Sequence, residues 1–411
     1  MTTSTIRPFP FYAMAKPAGA RCNLRCAYCY YLEKAAPGSG GRPEEMDDAM
    51  LELFVRQYIE AQPTPQVLFT WHGGEPLLRP LAFYRRALEL QRRYGRGRRI
   101  DNCVQTNGTL ITDEWCRFFR DEGFLVGISI DGPRPQHDQM RCGSFDSVMR
   151  GIGLLTCHGV QWNAMATVNS LNAGSPAEFY RFFKSIGCRY LQFTPVVERT
   201  AADGSGRLLA GGEAGGALTP WSVSPDAWGA FACGVFDEWV RSDVGEVFVE
   251  LFDATLANWA GEPPGVCSLA PTCGQAPALE HNGDLYSCDH FVFPAYRLGN
   301  IGRQPMAAMM FSARQAAFAM AKRAALPRQC RECRWLFACN GECPRNRFDR
   351  DRYGNPGLNH LCRGYARYFA HVAPYMDFMK AELDAGRAPA NVMGRDVKEL
   401  RVENKELGIK N

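Results

Sequence analysis

The sequence predicts an α/β protein: an open, partial barrel of parallel strands and helices over residues 1–240, then a small cysteine-rich domain over 241–386 with a C-terminal helix, and a polar tail over 387–411. Three observations predict it. Six near-continuously apolar strands alternate with amphipathic helices, the pattern of a parallel sheet covered by helices. Six units are too few for an eight-unit barrel, and the unusual motifs all fall just after a strand, where open α/β sheets carry their ligands. Beyond about Gly245 the composition changes, and eight of the seventeen cysteines lie between Cys267 and Cys362.

In chain order, Phe9–Lys16 is an apolar run stopped by Pro17 and reads as the first strand. A cysteine loop follows, then a Gly/Pro-rich gap from Ala35 to Pro43. The first helix, about Asp47–Ala61, sets Met50, Leu51, Phe54, Val55 and Tyr58 on one face at helical spacing. Val67–Trp71, Ile100–Gln105, Leu125–Ile130, Gln161–Val168 and Tyr190–Pro195 are the remaining strands. Helices are expected over Leu81–Tyr94, Asp113–Gly123, Phe145–His158 and Ser175–Ile186, with Trp228–Val240 as the sixth, closing the barrel. Between them, Ala201–Leu218 is Gly/Ala-rich and reads as a flexible insertion or exposed loop.

Forty-seven basic against 43 acidic residues leave a net charge of +4, which gives no electrostatic case for a nucleic-acid or membrane-surface partner. Met1–Pro10 lacks the apolar core of a signal peptide, and no apolar run is long enough for a membrane span, so a cytoplasmic protein is expected. In a reducing compartment, seventeen cysteines point to metal or redox duty rather than disulfides.

Cys22-Asn-Leu-Arg-Cys26-Ala-Tyr28-Cys29 puts three thiols on one short loop. Three thiolates can hold three irons of a cubic iron–sulfur cluster and leave the fourth open to a small chelating molecule. A zinc knuckle is the plain alternative. His72-Gly73-Gly74-Glu75-Pro76 follows the second strand and offers backbone without Cβ to a closely approaching ligand, or simply a turn. Further on, Cys267-x5-Cys273-x14-Cys288 is followed by Cys330-x2-Cys333-x5-Cys339-x3-Cys343 and then Cys362. Eight thiolates make two four-cysteine sites, for which zinc is the sober reading on spacing alone. The other six, Cys103, Cys116, Cys142, Cys157, Cys188 and Cys233, read as small buried apolar residues.

The C-x3-C-x2-C loop with an aromatic before its third cysteine resembles the signature of radical SAM enzymes. The C-x2-C-x5-C-x3-C run, flanked by further cysteines, resembles their SPASM domain. With Cys288-Asp289-His290, Asn340-Gly-Glu-Cys-Pro344 and His371-Val-Ala-Pro-Tyr-Met376, the chain resembles the anaerobic sulfatase-maturating enzymes over most of its length. The resemblance implies S-adenosylmethionine and three 4Fe–4S clusters. Cys22, Cys26 and Cys29 would hold the cluster that binds S-adenosylmethionine. Cys267, Cys273, Cys288 and Cys343 would hold the first auxiliary cluster, and Cys330, Cys333, Cys339 and Cys362 the second. Tyr28, Gly73, Gly74, Glu75, Ser129 (end of strand four), Arg141 and Val197 would line the S-adenosylmethionine site. Arg141 suits its carboxylate independently, since a planar fork matches one. His72 stands where the family places His or Gln near the substrate; a hydrogen-bonded core histidine is its alternative.

The activity implied is oxidation of a Cys or Ser side chain in an unfolded sulfatase to Cα-formylglycine. A 5′-deoxyadenosyl radical would take hydrogen from Cβ, Asp289 the side-chain proton, and an auxiliary cluster the second electron. Implied partners are an extended Cys/Ser-x-Pro/Ala-x-Arg segment and an electron donor such as flavodoxin or ferredoxin. Two rivals stand beside this reading. One is a SPASM enzyme that cross-links a ribosomal peptide, many of which carry an N-terminal peptide-binding domain for which a first strand at about residue 9 leaves no room. The other is a zinc-stabilised binding protein, which leaves Gly73-Gly74-Glu75-Pro76 and the six-strand array unexplained.

Overall fold

A computed structural model describes residues 8–31, 45–209, 211, 213 and 215–406. The Ala35–Pro43 gap, three residues of the Gly/Ala insertion and the last five residues lie outside that set. The main elements in chain order are β1 (Met14–Lys16), α1 (Asp48–Ala61), β2 (Gln66–Trp71), α2 (Leu81–Tyr94), β3 (Arg99–Thr106), α3 (Asp113–Asp121), β4 (Leu125–Ser129), α4 (Arg134–Met140) and α5 (Phe145–Cys157). They continue with β5 (Trp162–Val168), α6 (Pro176–Ser185), β6 (Tyr190–Pro195), β7 (Arg199–Thr200), β8 (Ala217–Leu218), α7 (Pro225–Ser242), β9 (Phe248–Val249), α8 (Glu250–Ala260), β10 (Ala278–Glu280), β11 (Asp284–Tyr286) and β12 (Arg297–Asn300).

The chain forms two compact units, each drawn from separate stretches of sequence. The first contains residues 1–129, 138–162 and 272–321; the second contains 130–137, 163–271 and 322–411.

In the first unit β1, β2, β3 and β4 pair in parallel, with Met14 opposite Thr70, Gln66 opposite Arg99 and Cys103 opposite Leu125. β10, from more than 250 residues later, takes the other edge of β1 in parallel, Lys16 opposite Glu280. β11 and β12 extend that edge antiparallel. Covering β1's edge satisfies backbone groups that an exposed edge strand would leave unpaired. α1 and α2 pack on the sheet through rings: Phe54 stacks on Tyr58 (centroids 5.5 Å apart) and meets Phe69 edge-on, and Trp71 meets Phe83 and Tyr84 edge-on. Asp47 caps α1 by accepting from the Met50 amide at 2.7 Å.

In the second unit β5 pairs with β6 and β6 with β9, both in parallel. α7 lies against the long helix Cys362–Asp384, where an added Cβ on Gly364 would stand 2.2 Å from the Pro225 carbonyl oxygen. The close approach of these helices requires a residue without a side chain there.

Two expectations need correction, the start of the first strand and the burial of three cysteines, and two gain detail. The first strand is Met14–Lys16, not Phe9–Lys16: Pro10 has no N–H to give a ladder, and the Phe11 and Ala13 amides donate to the side chains of Gln62 and Tyr58. The Ala201–Leu218 insertion is largely exposed over its described residues and is tied at its base: β7 pairs with β8, and the Arg199 guanidinium donates to the carbonyls of Gly215 (2.6 Å) and Glu213 (2.9 Å). Of the six cysteines read as buried, Cys142 and Cys157 are exposed and Cys103 is half-buried. The tail contains helix Val397–Glu406, with Leu400 fully buried.

Candidate active site

The cysteine loop leaves β1 at Lys16 and is pinned from below by the turn after β2. Gly74 donates its amide to the Gly19 carbonyl (3.0 Å) and Glu75 to that of Arg21 (2.8 Å). A Cβ on Gly74 would stand 2.1 Å from the Arg21 carbonyl oxygen, and Gly73, at φ +128°, would set one 2.9 Å from that of Gly19. The glycine pair is therefore demanded first by the chain's own cysteine loop.

Glu75 is fully buried and braces the strand ends. Its carboxylate accepts from the Thr106 hydroxyl (2.7 Å) and from the amides of Asn107 (2.8 Å) and Leu77 (2.9 Å). Burial raises its pKa against those bonds. Asn107 also approaches the loop, donating to Asn23 Oδ1 at 2.8 Å with Cys22 Sγ at 3.8 Å. Burial pushes the Cys22 thiol up, and the Leu24 amide at 3.4 Å from its sulfur opposes that rise. Amide donors aimed at a sulfur suit one that serves as a thiolate.

Arg141, buried beside this loop, donates to the Tyr28 hydroxyl at 2.5 Å, and the Met140 carbonyl accepts the Ala27 amide. Ser129 closes β4 and accepts from Gln105 Nε2 at 2.9 Å. Tyr28, Gly73, Gly74, Glu75, Ser129 and Arg141 thus all belong to the first unit with the three cysteines, whereas Val197 is buried in the second.

β10, β11 and the turn after them carry Cys288 and Asp289 back to β1. Asp289 is 5% exposed, and its Oδ1 lies 2.5 Å from the fully buried Lys16 ammonium. The Tyr30 hydroxyl donates to Oδ2 at 2.8 Å. Burial alone would raise the Asp289 pKa; Lys16, with His72 and His290, outweighs it and holds the carboxyl well below the usual range. His72 is driven down to about 3, by burial first and then by Lys16, so its ring is neutral. Its Nδ1 is bonded by Lys16 Nζ at 3.0 Å and by the Gly73 amide at 2.7 Å.

Lys16 and Tyr30 were not among the residues singled out by sequence. The available signal was a lysine ending an apolar strand directly before a cysteine loop.

The second unit holds the cysteines predicted for the second auxiliary cluster. Cys330, Cys333, Cys339 and Cys362 line one cavity, together with Gln329, Trp335 and Tyr365 among others. Burial pushes the Cys339 and Cys362 thiols up, and neighbouring cysteines add to it. Four thiols gathered in one largely apolar cavity fit a group that binds thiolates and neutralises their charge. The Arg347 guanidinium opposes the burial-driven rise at Cys330 and donates to the carbonyls of Gly341, Lys322, Asn340 and Glu342 at 2.5–3.0 Å. Of the other four, Cys267 and Cys343 belong to the second unit and Cys273 and Cys288 to the first. Lys322 Nζ donates to the Cys267 and Ser268 carbonyls, each at 2.7 Å.

Residues 17–183 match the model of the radical SAM superfamily, and 273–334 that of the SPASM iron–sulfur cluster-binding domain. The chain is 58% identical over 402 residues to the serine-type anaerobic sulfatase-maturating enzyme of Bacteroides thetaiotaomicron, covering 96% of this chain and 97% of that one. It is 30% identical to the cysteine-type enzyme of Clostridium perfringens, over 89% and 97% of the two chains. The solved structure of native anSMEcpe with bound AdoMet superposes with a TM-score of 0.79 at 29% identity, covering 90% of this chain and all of that one. The fold is the α/β partial barrel with a SPASM domain, and the chain belongs to the anaerobic sulfatase-maturating enzymes of the radical SAM superfamily.

Proposed function

We propose that the protein oxidises a serine side chain in an unfolded sulfatase segment to Cα-formylglycine, with Asp289 as the proton acceptor. The observation that carries the base assignment is the buried Asp289 carboxylate, held charged by Lys16 and Tyr30 in the same unit as the cysteine loop. Serine is favoured over cysteine by the 58% identity to a serine-type enzyme.

Cys22, Cys26 and Cys29 would hold the S-adenosylmethionine cluster, and the two four-cysteine sets the auxiliary clusters. Bound together, S-adenosylmethionine and its cluster supply a 5′-deoxyadenosyl radical, the chemistry no side chain provides. The auxiliary clusters would take up the one electron left after hydrogen-atom and proton removal; the protein's residues do the rest. Arg141 and Ser129, with Tyr28, hold the cofactor; Gly73 and Gly74 let the main chain close on it, and Glu75 keeps their strand ends in place. Asp289 accepts the hydroxyl proton of the target side chain, and His72 lies beside that side chain.

The domain limits 1–240, 241–386 and 387–411, a cytoplasmic location and a flavodoxin or ferredoxin donor belong to this proposal. No described helix is long and apolar enough to cross a membrane, which accords with it.

The test is mass spectrometry of serine peptides incubated anaerobically with enzyme, S-adenosylmethionine and reductant. Loss of two hydrogens from the target serine is expected. With Asp289→Asn, formylglycine should fall by about 10²–10⁴-fold, the range for a general base, while iron content is kept. Undiminished turnover removes Asp289 from the role.

A further inference from the structure

Lys16 has no part in the function proposed so far, yet it is fully buried and touches both residues assigned to the substrate. Removing an ammonium from water is expensive unless partners replace the water. Lys16 has three: the Asp289 carboxylate at 2.5 Å, His72 Nδ1 at 3.0 Å, and the Tyr31 ring, whose centroid is 4.9 Å away. All lie in one unit.

An ammonium only donates, and so does the Gly73 amide 2.7 Å from the same ring nitrogen. Nδ1 of His72 must therefore accept, which leaves the ring hydrogen on Nε2. With one nitrogen atom of Lys16 bonded to both, His72 and Asp289 are held apart in opposite roles, one a donor and the other an acceptor.

We infer that Lys16 is the positioning residue that matches this site to a hydroxyl, fixing Asp289 as acceptor for its proton and His72 Nε2–H as donor to its oxygen. The inference rests on the reading of Asp289 as base. A serine hydroxyl needs both partners, because it is a weak acid and a good acceptor. A thiol is a far stronger acid, with a pKa of about 8.5, and its sulfur is a weak acceptor. Without Lys16 the Gly73 amide still keeps Nδ1 an acceptor, but ring and carboxylate lose the common donor that orients them towards the substrate. A thiol substrate loses less by that.

The experiment compares serine- and cysteine-containing versions of one sulfatase peptide on the reconstituted holoenzyme. Lys16→Met should lower kcat about 100-fold on the serine peptide and less than about tenfold on the cysteine peptide, with KM and iron content unchanged. In a His72→Gln background the same change should cost less, because an amide N–H donates whatever Lys16 does. Equal losses on the two peptides, or an undiminished loss in the His72→Gln background, overturn the inference. If Lys16→Met does not fold, Lys16→Gln, which keeps amide donors but has no charge and a shorter reach, should still lower the serine-to-cysteine ratio; an unchanged ratio overturns it. Asp289→Asn is run in parallel. Full activity there removes the base reading itself, whereas parental behaviour of Lys16→Met beside an inactive Asp289→Asn removes only the role of Lys16.

Discussion

The Arg141 guanidinium donates to the Tyr28 hydroxyl at 2.5 Å, joining the helical segment after β4 to the aromatic that precedes the third cysteine of the loop. Arg141 is 6% exposed, so its orientation depends on such partners rather than on water. Tyr28→Phe removes one hydrogen bond to a charged group, worth about 1.5–3 kcal/mol. Affinity for S-adenosylmethionine, measured by calorimetry on the reconstituted enzyme, should weaken about tenfold or more, a factor of ten being about 1.4 kcal/mol. Unchanged affinity would show that Arg141 does not depend on Tyr28 for its place.

Gly74 tests whether the glycine pair serves the cysteine loop before it serves a ligand. A Cβ 2.1 Å from the Arg21 carbonyl oxygen cannot be accommodated without moving that backbone. Gly74→Ala should lower stability by about 1–3 kcal/mol, the usual range for overpacking. It should also reduce iron bound at the Cys22-Cys26-Cys29 site, read by iron analysis in a variant whose eight SPASM cysteines are replaced by alanine. Full iron occupancy and an unchanged Tm would sink this account.

Arg347 should matter for stability rather than for S-adenosylmethionine chemistry. It is 8% exposed and bonds four backbone carbonyls around the cavity of Cys330, Cys333, Cys339 and Cys362. Arg347→Gln leaves buried carbonyls without donors, at about 1–3 kcal/mol for each group left unsatisfied. The measurements are Tm and iron content, and a variant equal to the parent in both refutes the expectation.

Glu250 gives a pH dependence. Burial raises its pKa to about 7, with Asp253 adding to the rise. The folded protein therefore holds a proton on Glu250 that the unfolded chain, with an ordinary carboxyl, has released. The native state binds more protons between the two values, so its stability falls as pH rises through that window. Glu250→Gln should raise Tm at about pH 8 and leave it nearly unchanged at about pH 4, below both values. The same shift at both pH values would mean that the carboxylate charge is not the cause.

Much of the site was legible in the chain because its spacing is local. The Cys22-Cys26-Cys29 loop, the glycine turn after β2 and Ser129 at the end of β4 each belong to one strand and its exit, and period and punctuation reveal such units. The four parallel strands β1 to β4 emerged for the same reason, with the start of β1 misplaced and the other ends within a residue. The exposed Cys142 and Cys157 escaped because cysteine composition says nothing about which face of an element a residue takes.

Pairings between distant residues were beyond that reach. β10 lies on β1 because an edge strand must be covered, and three residues of strand carry too little pattern to announce it. That pairing turns Cys288-Asp289 from a neighbour of a cluster ligand into a carboxylate bonded to Lys16, 273 residues earlier in the chain. The residue types and local spacing were enough to select the chemistry: thiols for iron, glycines for close approach, a carboxylate for a proton. Which charge each group carries, and which atom of His72 donates, depends on burial and on partners brought together only by folding. Desolvation and Coulomb attraction act through distance in space, and burial together with one buried ammonium sets the state of two residues that share no sequence neighbourhood with it.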